Sequence, residues 1–309
     1  MTHALRLRWP AGAWQGVALI ASSAAAFGAM PIFARAAYAD GADVFGLLLT
    51  RFGLAFVLLG WFAWSRRIAL PSWRRVAALA LMGGIGYVGQ SLCYFEALQF
   101  AQASLVALLL YLYPFFVTVL AAMFLHERLT RVKIGALLLC SVGCALTVGG
   151  GVGQPLGIGL AIGAAMIYSV YIVVGARVSA GVDPRATTLV VCGAASLVLG
   201  CAALIRSHAG AAPHWPAHAG GWLALVAIAV FSTVVAILTF FAGMQRLGAA
   251  RASMLSTLEP VVTVALAAMT LGEKLKPGQL AGGLLILAGV LWLSARDRQS
   301  HVPEPPTPA

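Results

Sequence analysis

Glu259 is an acid set in an apolar run, with proline directly after it. In LEPVVTVALAAMTLGEKL, residues 258–275, no other charge occurs before Glu273. A carboxyl in such a setting can exchange a proton, because lost hydration favours the neutral form. It can also hydrogen-bond a polar solute or a neighbouring helix. Pro260 has no backbone N–H, so the carbonyl one turn back, at Ser256, lacks its helical donor and is open to a ligand or a water. Gln90 and Tyr94 are four residues apart and share a helix face. Tyr111 and Tyr113, Tyr168 and Tyr171, and Ser256 and Thr257 add rings and hydroxyls. Together with Glu259 they suit a cavity for a small amphipathic organic molecule. Each ring taken singly is more often packing or an interface anchor. Arg51 could take a substrate carboxylate through its bidentate fork. The alternatives are snorkelling to outer headgroups or pairing with Glu96.

The solvent for these groups follows from composition. Of 309 residues 61% are hydrophobic and 9% charged, with mean hydropathy +0.94, whereas a soluble domain carries about 25% charged residues. The bilayer must therefore be the solvent. A spanning helix needs about 20 apolar residues, and ten segments qualify: 14–34, 44–64, 76–98, 103–125, 132–150, 156–176, 186–205, 221–244, 249–271 and 278–295. The fold expected is an all-α integral membrane protein of ten transmembrane helices. Glu259 lies ten residues into the ninth, about 15 Å deep in a core of about 30 Å. An ionised acid there costs about 2.5–3.5 kcal/mol, so it should face a cavity. Small residues, such as the GxxxG of Gly159 and Gly163, let helices approach closely. Trp14, Trp61, Trp64 and Trp73 fall near span ends and read as interface anchors.

The chain is doubled. Pro114 and Pro260, and Glu127 and Glu273, are each separated by 146 residues, and at that spacing Leu-Ala-Ala-Met at 120–123 falls on Leu-Ala-Ala-Met at 266–269. Five helices are an odd number, so the second copy runs through the membrane in the opposite sense. Two inverted five-helix repeats are thus expected, 14–150 and 156–295, a plan of secondary transporters with the site near the midplane. Glu127 and Glu273 then read as helix-end anchors at opposite faces, where charge is cheap. An N-terminus on the inside puts fifteen Lys and Arg on the inner face. Only Arg35, Arg51, Arg206, Lys274 and Lys276 remain outside. That asymmetry predicts cytoplasmic termini, 1–13 and a Pro-rich tail at 299–309, and it accounts for the net charge of +11 without nucleic acid.

These features carry a resemblance. Ten helices in two halves, with LAAMFLHERLT at 120–130 echoed by LEPVVTVALAAMTLGEKL, resemble EamA-type members of the drug/metabolite transporter superfamily. YFEALQFAQAS at 94–104 and its twin FFAGMQRLGAARAS at 240–253 are also similar to that family. The likeness covers about residues 15–295. It implies a carrier of small organic solutes in a bacterial inner membrane, often an exporter of amino acids or other metabolites, working by alternating access. The two halves depart from each other: the second has no counterpart of Arg51, and Tyr113 stands where the second half has Glu259.

Other chemistries find little support. His126-Glu127 is not followed by a histidine in HExxH spacing, and no GxxxxGK[ST] loop occurs. The five cysteines form no CxxC pair. Cys140 and Cys144 read as packing, and His208, His214 and His218, in the spacer 207–221, as solvated groups rather than a zinc site. No cofactor is expected. The partners implied are a small organic solute and membrane lipid, and no residue pattern fixes a subunit number. A channel or a membrane-embedded ligand sensor are the rival readings.

Overall fold

A computed structural model describes residues 13–113, 115–117, 120, 131–150, 152–247, 252, 255, 256 and 258–297. Pro114, Glu127, Thr257 and the two termini, all singled out above, lie outside them. So do the side chains of Cys140 and Cys144.

Among the described residues the chain is helical, with one isolated bridge between Ala101 and Gly153. In chain order the helices are α1 (Ala13–Gly28), α2 (Met30–Ala39), α3 (Val44–Ser65), α4 (Trp73–Leu81), α5 (Val88–Phe100) and α6 (Ala103–Leu110). They continue as α7 (Arg131–Gly150), α8 (Pro155–Val178), α9 (Pro184–His208), α10 (Ala219–Ala229), α11 (Ala236–Leu247), α12 (Leu258–Thr270) and α13 (Pro277–Asp297). Every predicted segment contains helix. Six are long and apolar enough to cross a membrane: Trp14–Ala39, Val44–Ser65, Trp73–Phe100, Pro155–Gly175, Pro184–His208 and Ala219–Met244. Shorter apolar helices follow at Leu258–Thr270 and Pro277–Gly289. Leu138, Leu197, Leu223, Phe231 and Leu284 point outward and are exposed. An apolar outside of this kind fits lipid, not water. Trp14, Trp61, Trp64 and Trp73 are exposed at helix ends.

Three interruptions shape the interior. The first long helix breaks at Ala29, ahead of Pro31, which has no N–H to give. The Gly28 carbonyl freed there accepts from Thr263 Oγ1 of α12 at 2.8 Å. The other two interruptions are π-helical turns, Met82–Tyr87 between α4 and α5 and Val230–Val235 between α10 and α11. Single π turns inside α-helices re-aim side chains and recur at functional sites.

The helices pack in pairs: α1 with α11, α5 with α8, α3 with α9, α6 with α12, and α7 with α13. Gly143 of α7 and Gly282 of α13 meet face to face, since a Cβ on Gly143 would stand 2.7 Å from the Gly282 carbonyl oxygen. Gly159 and Gly163 do not have the contact role expected of them: a Cβ on either meets nothing within 4 Å. Among the described residues, none approaches a Cβ placed at either position.

One end of the bundle is tied through the α5–α6 turn. Gln102 N–H donates to the Val152 carbonyl at 3.1 Å, Gln154 N–H to Phe100 at 2.8 Å, and Arg35 Nη2 to Ala101 at 2.5 Å. Helix α12 stops at Gly272, whose φ of 64° is the left-handed value glycine tolerates. The next N–H, that of Glu273, returns to the Ala267 carbonyl at 3.3 Å, a six-to-one closure of the helix end. That turn throws the Glu273 carboxylate across to α6. It accepts from Ala103 N–H at 2.9 Å, Ser104 N–H at 3.2 Å and Ser104 Oγ at 2.7 Å. Glu273 is therefore not a helix-end anchor resting at the lipid surface, as its position beside Lys274 suggested. It caps a helix of the other half, 169 residues away in sequence.

The spacer before α10 is also held rather than simply solvated. Asp40 accepts from the His218 backbone N–H at 2.9 Å and pairs with its ring Nδ1 at 2.6 Å, while Ala217 N–H donates to the Asp40 carbonyl. Asp43 caps α3 through Gly46 N–H, and its own N–H donates to His214. The hydrogen bonds from His218 hold the Asp40 carboxyl below its usual range. A carboxyl depressed in the folded state contributes stability above the unfolded value, about pH 4, and loses it as pH falls through the folded value. Exchange protection of the His218 amide, corrected for intrinsic rate, should thus persist above about pH 4 and fall below it, and Asp40→Asn should flatten that dependence. Unchanged protection to the acid end would remove Asp40 from this role.

Candidate functional site

At the middle of the bundle lies a narrow cavity of about 40 Å³. Arg51, Gln90, Tyr94, Tyr111, Tyr113, Tyr168, Ser256 and Glu259 line it. Tyr171 lines an adjoining chamber, and Thr257 lies outside the described residues. Eight of the ten residues picked from the sequence are thus brought to one wall system, drawn from α3, α5, α6, α8 and α12 and the segments next to them. The chamber also takes Ser23, Phe27 and Met30 from the broken first helix, Tyr87 from the first π turn and Phe240 from α11. Those five were not picked. Ser23, Phe27 and Met30 have no charge or periodicity that separates them from ordinary core, and Tyr87 is aimed by a π turn.

The proline logic at Pro260 holds, but with a different partner. The Ser256 carbonyl is not left open to a ligand or a water: the Tyr111 hydroxyl sits on it. The same hydroxyl is 3.1 Å from Glu259 Oε2. Tyr111 in α6's C-terminal turn and the Glu259–Pro260 pair in α12 thus form one polar joint between the halves. Rings extend from it. Tyr111 meets Tyr113 at 5.7 Å between centroids, Tyr113 meets Tyr168 at 5.0 Å, Tyr168 stacks on Tyr171 at 5.9 Å, and Tyr171 stacks on Tyr87 at 5.1 Å.

Arg51 neither snorkels nor pairs with Glu96. It is 1% exposed, and Glu96 takes a hydrogen bond from Gln99 instead. The direction in which the side chain leaves α3 is inward, away from both of those expected partners. Its Nε donates to Thr233 Oγ1 at 2.8 Å, its Nη2 to Tyr87 Oη at 2.9 Å and its Nη1 to Ser91 Oγ at 3.5 Å. The guanidinium lies over the Phe52 ring at 4.7 Å and over Phe95 at 5.4 Å. Tyr87 and Thr233 each come from a π turn, one in each half of the chain.

Glu259 is half-buried and opens on the chamber. A carboxyl and a guanidinium therefore line the same cavity. Among the described residues no group of three His, Cys, Asp or Glu side chains gathers to hold a metal ion.

Comparison with known proteins adds the lineage. The model of the EamA-like transporter family matches this chain twice, over residues 14–149 and 155–295. The chain belongs to the EamA-like transporter family. That family is one of membrane transporters, which implies a small-molecule substrate. Among EamA relatives, it is 28% identical over 266 residues to a probable terminal-alkyne amino-acid exporter of Streptantibioticus cattleyicolor, covering 83% of this chain and 86% of that one. It is 27% identical to the transporter YyaM of Bacillus subtilis, over 79% of this chain and 82% of the other. A transporter of Archaeoglobus fulgidus is 28% identical over 89% of this chain and 95% of its own. A crystal structure superposes with a TM-score of 0.66 at 21% identity, over 94% of this chain and 99% of that one, which establishes likeness of fold. Both EamA stretches build the cavity: Arg51, Tyr87 and Tyr111 belong to the first, Tyr168, Phe240 and Glu259 to the second.

Proposed function

We propose that this EamA protein is a secondary carrier that moves a small organic metabolite, an amino acid or a related solute, out of a bacterial cell across the cytoplasmic membrane. Ten transmembrane helices form two inverted five-helix halves, 14–150 and 156–295. The halves rock around the central chamber, and both termini, 1–13 and 299–309, are cytoplasmic. Glu259 is the proton site, and its proton moves against the solute. The central cavity carries this reading: it is built by both halves and holds a carboxyl within reach of a tyrosine that bridges them.

Other features support the doubled plan. Exchanging the five-helix halves turns the α1–α11 pair into the α8–α5 pair, and leaves α3–α9, α6–α12 and α7–α13 as partners of one another. The two π turns fall in the third helix of each half. Amino-acid export draws on the name of the Streptantibioticus relative.

The test is solute flux in proteoliposomes holding the purified chain, with and without a pH gradient. Saturable movement of an unchanged solute, stimulated by the gradient, is the expected result. Glu259→Gln should lose that stimulation, with gradient-driven flux down at least about tenfold, the value of one charge-assisted contact, while solute exchange without a gradient persists. Full gradient-driven flux in Glu259→Gln would remove the proton role. Flux that does not saturate would indicate a channel, and binding without movement a sensor.

A further inference from the structure

Among the described residues no carboxylate lies within 4.0 Å of the buried guanidinium of Arg51, although Glu259 lines the same cavity. A guanidinium carries five N–H donors. Thr233, Tyr87 and Ser91 accept from one N–H on each of its three nitrogens, and all three are neutral. One N–H on each terminal nitrogen is left without an acceptor among the described residues. An unpaired charge so deep in a bilayer protein is costly, and such residues mark substrate pathways. Two free donors on one fork fit a carboxylate, which accepts two parallel N–H bonds.

Next to this charge is a wall of the opposite character. The adjoining cavity, about 60 Å³, shares Phe27, Tyr87, Tyr168 and Phe240 with the first and continues past Ile172 and Met244. Among the described residues, no charged one lines it. It runs toward the C-terminal ends of α8 and α11, through Gly175 and Met244. Tyr87 is the hinge between the two: its hydroxyl holds Arg51, and its ring faces Tyr171.

We infer that Arg51, set by Tyr87 and Thr233, is the docking point for the carboxylate of the solute, and that the adjoining apolar cavity takes an apolar side chain of modest size. The substrate class is a small carboxylate, with or without an α-amino group, that carries such a side chain. This deepens the carrier reading and rests on it. A solute without a carboxylate leaves the guanidinium unpaired. A solute without an apolar side chain leaves the ring-lined chamber unfilled.

The experiment has a binding arm and a flux arm. In the binding arm, thermal stabilisation of the purified full-length protein is measured with leucine, 4-methylpentanoate, 3-methylbutylamine and glycine at millimolar concentration. Leucine and 4-methylpentanoate should stabilise. The amine, which lacks only the carboxylate, should not, and glycine should be weaker by at least about tenfold, the value of burying a few methylenes. Arg51→Lys replaces a fork by a point charge and should weaken leucine binding by about tenfold or more, with weaker discrimination against the amine. Arg51→Met should abolish binding while the protein without ligand unfolds no earlier than wild type, because a buried unpaired charge is removed. Equal stabilisation by the amine, no stabilisation by either carboxylate, or an unchanged Arg51→Lys would each overturn the proposal. The flux arm separates the two readings. Carboxylate-selective binding with no transport would sink the carrier and leave the docking site. Saturable transport indifferent to carboxylate and to Arg51→Lys would leave the carrier and sink the docking site.

Discussion

Replacing Glu273 by alanine is expected to lower the unfolding free energy by about 2 kcal/mol or more, the combined scale of a lost helix cap and of backbone donors left unpaired. The reasoning turns on which groups lose a partner. An α-helix begins with N–H groups that no intrahelical carbonyl reaches. At α6 those of Ala103 and Ser104 are served by both oxygens of Glu273, and the Ser104 hydroxyl donates to one of them. Gln279, buried in α13, donates to Ser104 Oγ in turn. No nearer residue can take over, since Gln102, at the cap position, makes no side-chain cap bond. Glu273→Gln keeps one carbonyl oxygen and should lose about half as much. Lys274→Ala should stay within about 0.5 kcal/mol, as exposed interfacial charges do. Denaturant unfolding of the three variants in one detergent checks the order. If Glu273→Ala is no worse than Lys274→Ala, the carboxylate is only an anchor at the membrane face and the bridge between halves contributes nothing.

What could be read from the sequence, and what could not, divides by range. Helix positions follow from apolar runs, which are local, and the helices fall where those runs are. The membership of the chamber was also largely legible. A Gln, several tyrosines and an acid inside apolar helices have few other places to go, and spacing fixed Gln90 and Tyr94 on one face. The missing donor at Pro260 was readable in the same way, because it concerns one residue and the carbonyl four before it. Its partner was not, because Tyr111 is 145 residues from Ser256. Arg51 shows a second limit. Counting residues gives height in the membrane but not which way the side chain leaves the helix, and its partners Thr233 and Tyr87 are turned inward by π turns that no apolar period signals. Glu273 shows a third. Its chemistry as an acid at a helix end was plain, but the glycine turn before it aims the carboxylate away from its own helix.

Gly282→Val should be among the most damaging single substitutions in the chain, costing about 3 kcal/mol or more, at the upper end for overpacking. Helices in lipid gain nothing from burying apolar surface against one another, so close backbone approach supplies the contact energy. α7 and α13 depend on it. Cβ atoms at Gly143 or Gly282 would run into the backbone of the facing helix, and at Gly143 also into Ile286, which is fully buried. Backbone cannot rotate away as a flexible side chain can, so the pair must separate. The contrast lies in α8, whose glycines form the more recognisable pattern. Gly159 and Gly163 are spaced for helix contact, yet neither would bring a methyl group near anything. Gly159→Ala and Gly163→Ala should therefore stabilise slightly, by about 0.5–1 kcal/mol each, through helix propensity alone. Unfolding midpoints in detergent should rank Gly282→Val far below wild type and the two alanine variants at or above it. Loss of stability in Gly159→Ala would mean that this face of α8 is covered in the protein's working state, by lipid-bound order or by a second copy. A neutral Gly282→Val would mean that α7 and α13 are held by their ends rather than by the glycine contact.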